Sequence, residues 1–323
     1  MKKTLLAAGL AVVLGACSSS KNGGEEVMNP FFTEYATPFG VPPFEQIHAS
    51  HYKPALLKGM EEQMAEIQAI INNQEEANFE NTIAALDRSG ALLTKVLYAF
   101  SGQSSVNTND TIQALEQELY PLLSKHSDDI NMNPELFARV KAVYDNREQL
   151  NLDKEQAKLL ENTYKGFIRS GSGLDAEKQE QLRKLNEQIA TLQLTFGQNL
   201  LKETNAFKLV VDKKEDLAGL PEGLVAVAAA TAKEEGMDGK WVFTLHNPSV
   251  MPFLQYADNR SLREQIFKAY INRGNNGNAN DNKEVIKKLV AVRLEKAKLL
   301  GYEEGTGGTG GYPCRSEKGR RKL

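Results

Sequence analysis

Cysteine, histidine and tryptophan are the scarce residues of this 323-residue chain, at two, four and one. Two cysteines, Cys17 and Cys314, cannot build a disulfide scaffold. Four histidines leave little material for a metal centre, and none of His48, His51, His126 and His246 is followed by glutamate. The H-E-x-x-H pattern, in which one helix face presents two imidazoles and a carboxylate base to zinc, is therefore absent. An excess of one charge is missing as well. Lys and Arg number 39 against 42 Asp and Glu, a net of −3. That balance gives no electrostatic basis for binding phosphate backbones, so no nucleic-acid partner is expected. Nor is there a G-x-S-x-G elbow, a Walker A loop or a Cys–His pair suited to nucleophilic catalysis. Gly305 to Gly310 satisfies G-x-G-x-x-G formally, but it follows a helical pattern and opens none. It lacks the strand–turn–helix setting that makes the motif bind a dinucleotide. On the residues themselves the chain shows no catalytic group and no metal ligand.

What is present begins with an address. Residues 1–17 read MKKTLLAAGLAVVLGAC, with Lys2 and Lys3 ahead of an apolar stretch too short to span a bilayer. The run closes on Leu14-Gly15-Ala16-Cys17, which resembles a bacterial lipobox. That resemblance implies a signal peptide over residues 1–16, lipidation at Cys17 and a flexible tether over 17–37. It also implies a membrane-anchored lipoprotein of the bacterial cell envelope. An ordinary secretory signal with an incidental cysteine is the alternative. With Cys17 acylated, Cys314 is left as a single thiol.

From about residue 44 to residue 301 the dominant period is helical. Met60, Met64, Ile67 and Ile71 recur at steps of four, three and four. Ile83, Leu86, Leu93, Leu97 and Phe100 continue the pattern, with Gly90 at a gap in the stripe. Leu182, Leu185, Ile189, Leu192, Phe196 and Leu200 form the clearest stripe, with polar residues between them. Asn133-Pro134, Asp175 and Asp281 stand where helix caps belong, and Gly301 where a helix ends. Residues 207–211 and 240–245 are rich in β-branched and aromatic side chains and predict two short strands, paired with each other. The Ala-rich run between them predicts a helix. His48 and His51 read as capping or surface residues.

The body resembles the N-terminal portion of a peptidyl-dipeptidase (dipeptidyl carboxypeptidase) of the thimet oligopeptidase family. The matching blocks are PPFEQIHASHYKPALLKGM (42–60), FENTIAALDRSGALLTKV (79–96), a long block over 159–207 and, most strongly, residues 240–302. Together the likeness runs over 38–302. It implies a mostly α, elongated multi-helix domain of the thimet oligopeptidase/neurolysin type with a small β-hairpin. In such a fold a deep channel admits short peptides and excludes folded proteins. It also implies a zinc cofactor, whose ligands lie in a later half of the family sequence that no residue here matches. Short peptides are thus the implied substrates of the whole enzyme. Arg260, Arg263, Tyr270 and Arg273 belong to the strongest block, and their expected role is helix packing or ion pairing.

After Tyr302 the resemblance stops, and residues 303–323 (EEGTGGTGGYPCRSEKGRRKL) form a Gly-rich basic tail foreign to the family. The expectation is a frameshift, premature stop or incomplete gene, leaving a chain truncated before its catalytic half and inactive alone. A natural flexible tail on a stand-alone protein is the alternative. Its functional counterpart is a non-catalytic helical envelope lipoprotein that binds peptides or a partner protein. A half-fold is further expected to leave apolar helix faces uncovered.

Overall fold

The computed structural model describes residues 29–302. The expected signal peptide, Cys17, Cys314 and the Gly-rich tail lie outside the described residues. The fold is mostly α with one small antiparallel sheet, as the sequence predicts.

Helix α1 (Ala49–Ile71) runs through two cores. At its start Tyr52, Ala55 and Leu56 meet Val96 and Phe100 of α3 (Ala91–Val106) and Ile112 and Leu119 of α4 (Asp110–Asn131). At its end Ile67 and Ile70 meet Ile83, then Leu136 and Val140 of α5 (Pro134–Asp145) and Leu160 and Phe167 of α6 (Lys154–Arg169). Between the two, Gly59 lets α1 and α3 approach closely. A Cβ there would lie 2.8 Å from the backbone N and Cα of Leu93, so any side chain would push the helices apart.

The stripe predicted across residues 83–100 is interrupted. Phe79–Ala84 is a π-helical turn, α2 (Ala85–Arg88) is a single short turn, and α3 starts anew after Gly90. Gly90 is not a gap in a continuous helix. It has φ 74° and donates its N–H to Glu66 Oε2 at 2.7 Å, while Gln63 fills the space a side chain would need. A periodic pattern survives such a break because both pieces pack on α1.

The long helix α7 (Ala176–Ala206) is followed by a third core. Strands β1 (Leu209–Val211) and β2 (Trp241–Phe243) pair antiparallel, with Leu209 opposite Phe243 and Val211 opposite Trp241. The Ala-rich run is α8 (Glu222–Glu234). Leu209, Val211, Phe243 and Leu245 pack with Val250 and Phe253 of α9 (Asn247–Tyr256) and Ile266 of α10 (Arg260–Ile271). The strands are shorter than the runs that predict them.

Helix α11 (Lys283–Leu299) returns along α7, with Val292 and Ala297 buried. Along the same helix Ile286, Val290 and Leu294 are exposed to solvent, one residue per turn, and no described element covers them. None of the described helices is long and apolar enough to cross a membrane.

Caps follow local chemistry. Asn133 accepts N–H bonds from Glu135 and Leu136, and Asp175 accepts one from Lys178. Gly301, at φ 83°, closes α11 in a Schellman motif, in which Gly301 N donates to Lys298 O and Tyr302 N to Ala297 O. At the start of α11 the expectation shifts by one residue. The cap position is Asn282, whose side chain turns inward to donate to Phe196 O at 3.1 Å. Asp281 meanwhile accepts from Lys283 N at 2.9 Å.

Candidate functional site

Three of the four imidazoles, those of His51, His126 and His246, are engaged in structural bonds. His48 precedes α1, and its N–H donates to His51 Nδ1 at 3.0 Å. His51 is thus a capping residue, and burial, then neighbouring His48, lowers its pKa. His126 Nε2 lies 2.7 Å from Gln63 Oε1, and His246 bonds Thr244 and Asn205. Among the described residues no group of three or more His, Cys, Asp or Glu side chains could hold a metal ion. The zinc that the resemblance implies therefore finds no ligand set in residues 29–302.

The built features lie along the seam where α7 meets α4 on one side and α11 on the other. The apolar stripe of α7 is only half used. Leu182 and Leu185 are buried, but Ile189, Leu192, Phe196 and Leu200 are half-buried. Towards the C-terminal end the buried residues are instead Gln198, Glu203 and Thr204. A helix that buries polar groups must give them partners, because a buried unsatisfied group costs about 1–3 kcal/mol. Those partners come from distant elements.

A cleft of about 590 Å³ opens between α4 and α7, lined by Ser104, Glu116, Tyr120, Gln193, Gln198 and Leu201, among others. Glu116, 8% exposed, receives hydrogen bonds from Ser104 Oγ and, at 3.3 Å, from Tyr120 OH. Both land on Oε1. Burial, then the charge of Glu116, raises the Tyr120 pKa. Gln117 Nε2 donates to Gln198 Oε1 at 2.9 Å and ties the two helices together at the cleft wall.

A smaller cavity of about 310 Å³ adjoins it, sharing Ala190 and Gln193, and is lined by Ser127, Asp128, Arg169, Asn186 and Lys296. Here three helices are joined in a relay. Lys296 Nζ of α11 donates to Asn186 Oδ1 of α7 at 2.6 Å, and Asn186 Nδ2 donates to Asp128 Oδ1 of α4 at 2.7 Å. Burial raises the Asp128 carboxyl to about 6, against the opposing pull of Asn186, Arg183 and Lys296. Burial likewise lowers the Lys296 ammonium. Arg183 itself pairs with Asp129 at 2.7 Å.

Beyond the clefts, the Asn-rich loop after α10 packs on the end of α7. Asn276 and Asn278 each donate a side-chain N–H to a different oxygen of Glu203. Arg273 donates to Tyr270 O and to Thr204 Oγ1, both at 3.0 Å, and lies 3.9 Å over the Tyr270 ring. Arg263 donates to the backbone oxygens of Ala257 and Asp258. Arg260 is the first residue of α10. Of the two expected roles, packing or ion pairing, Arg263 and Arg273 show bonds to carbonyl and hydroxyl acceptors.

None of Glu116, Asp128, Asn186 and Lys296 was singled out by sequence. One signal was available for Glu116. It stands four residues after Ile112 and three before Leu119, a charged side chain on a stripe whose neighbours are buried.

A sequence model of Peptidase family M3 matches residues 253–306. Over 275 residues the chain is 40% identical to dipeptidyl carboxypeptidase of Escherichia coli, covering 85% of this chain and 40% of that protein. The chain belongs to peptidase family M3. Its likeness to dipeptidyl carboxypeptidase of Salmonella typhimurium is 37% over 274 residues, again 85% of this chain and 40% of the relative. Oligopeptidase A of Haemophilus influenzae is 31% identical over 271 residues, 83% of this chain and 40% of that protein. This M3 chain thus spans about two fifths of the length of the relatives it matches. The hairpin core and the α10–α11 loop lie wholly or partly inside the family match, whereas the α4–α7 cleft lies outside it.

Proposed function

We propose that this chain supplies the amino-terminal helical part of a zinc peptidyl-dipeptidase that hydrolyses short oligopeptides. The observation that carries the reading is the 40% identity over 275 residues to a dipeptidyl carboxypeptidase. Family enzymes of this kind use zinc for the hydrolytic step, but residues 29–302 offer no ligand set for it. Their own contribution is to form and hold a wall. The relay through Asn186 keeps α4, α7 and α11 in register, and the amides of Gln193 and Gln198 face the cleft between α4 and α7. The 323-residue chain by itself is inactive in this reading. Purified chain should hold no stoichiometric zinc and release no dipeptide from a blocked oligopeptide. Stoichiometric zinc together with dipeptide release would overturn it.

The reading extends to the cell envelope. The leader ending in Leu14-Gly15-Ala16-Cys17 supports cleavage before Cys17 and its lipidation, which places the helical body at a bacterial membrane surface. Mass spectrometry of the N-terminal peptide tests this. A diacylglycerol adduct on Cys17 is expected, and an unmodified Cys17 in membrane-extracted protein would refute it.

A further inference from the structure

Four of the acidic side chains along the α4–α7 seam sit in contrasting company. Asp129 pairs with Arg183, and Asp128 has the Asn186 amide with Lys296 behind it. Glu203 has both oxygens capped by asparagine amides. Glu116 is as buried as Glu203 but is satisfied on one oxygen only. Its Oε2 takes no hydrogen bond from any described residue, and no described lysine or arginine pairs with it. Since Oε2 is not among the solvent-sealed unpartnered atoms, it opens onto the cleft that Glu116 lines. Buried charges are ordinarily paired, because an isolated one in a poorly hydrated setting costs several kcal/mol. The rest of the lining is uncharged and includes Ala190, Leu194 and Leu201.

We infer that the α4–α7 cleft is a binding site for a primary ammonium carried on a small apolar body, with Glu116 Oε2 as its counter-charge. The ammonium presents three donors and no acceptor. That matches a cleft whose unmet group is a carboxylate oxygen, an acceptor with no donor of its own. Leu194 and Leu201 would cover the apolar body, and a cleft of about 590 Å³ is large enough for such a molecule. The inference is independent of the hydrolytic reading, since it needs no zinc and no reaction.

Calorimetric titration of the full chain with leucinamide tests it, with N-acetyl-leucinamide as the probe that keeps the side chain and loses the charge. Leucinamide is expected to bind, and the acetylated probe to bind at least tenfold more weakly. Glu116→Gln keeps the shape and should weaken leucinamide binding at least tenfold. Gly197→Leu is the second variant. Gly197 lines the cleft on α7 and a Cβ there meets nothing within 4 Å, so the helix tolerates the side chain while the cleft is filled. It should abolish binding with the circular dichroism spectrum unchanged. A parallel titration with Leu-Gly-Gly separates the sources of the ammonium. Binding equal to leucinamide assigns peptide amino termini, and loss of binding assigns free small amines. No heat from leucinamide at 10 mM, equal binding of the acetylated probe, or full affinity in folded Glu116→Gln would each overturn the assignment.

Discussion

Asp128 and Glu116 are two carboxylates on the same helix, about three turns apart, both nearly buried and both facing α7. Their surroundings differ in one respect. Asp128 has a bonded amide and two cations nearby, whereas Glu116 has two hydroxyl donors on one oxygen and no cation. The difference separates two uses of a buried charge. The Asp128 end is closed within the chain and joins three helices. The Glu116 end is left incomplete and borders the larger cavity.

The largest expected effect comes from breaking the closed end. Asn186→Leu removes both relay bonds and leaves Asp128 and Lys296 facing each other across an apolar side chain. A loss of about 2–3 kcal/mol in unfolding free energy is expected, read from the urea midpoint. A loss below about 0.5 kcal/mol would mean that the relay does not hold α11.

Next in size is a pH effect. Burial raises the folded Asp128 carboxyl to about 6 from an ordinary value of 3.8. Between those values the folded state holds a proton that the unfolded chain has released, so stability falls as pH rises from about 4 to about 6 and is level above that. Of the groups facing Asp128, Asn186 has no charge to lose, Arg183 and Lys296 pull its carboxyl down against burial, and Asp129 adds to the upward push. Urea midpoints measured across pH 4–7 should show the decline in the wild-type chain and a flatter curve in Asp128→Asn.

Smaller still is the effect of neutralising the open end. Glu116→Gln removes a buried charge with no cation, keeps an acceptor for Ser104 and Tyr120, and should change stability by less than about 1 kcal/mol in either direction. A large loss would show that Glu116 is structural, like Asp128, and would erase the contrast. The smallest effect is the coupling between the two ends. Asp128→Asn and Glu116→Gln together should add to within about 0.5 kcal/mol, because the sites share no partner. A larger coupling energy would make the seam a single network.

Much of the fold is legible in the sequence because its signals are local. The Asn133 and Asp175 caps, the Gly301 terminator and the two β-branched runs act within a few residues of themselves, and the structure places each where the pattern does. The His48–His51 pair reads correctly as a cap for the same reason. Periodicity is less reliable where a helix restarts. Gly90 looks like a gap in a stripe, and only the contact with Gln63 and Glu66 shows that it is a left-handed break. Likewise, Asn282 takes the cap position expected of Asp281 because its side chain is drawn into α7 by Phe196 and Asn199.

The sequence alone determined the family, the helical class and the lack of an H-E-x-x-H motif in these 323 residues, since all three rest on residue identity and short-range spacing. Only the tertiary structure decided which charged residues on the helices are buried, and with what. Asn186 meets Asp128 across 58 residues and Lys296 across 110. No local pattern encodes such partners. The cost of a buried charge depends on what the fold brings beside it, and in this chain that separates the closed relay at Asp128 from the open carboxylate at Glu116.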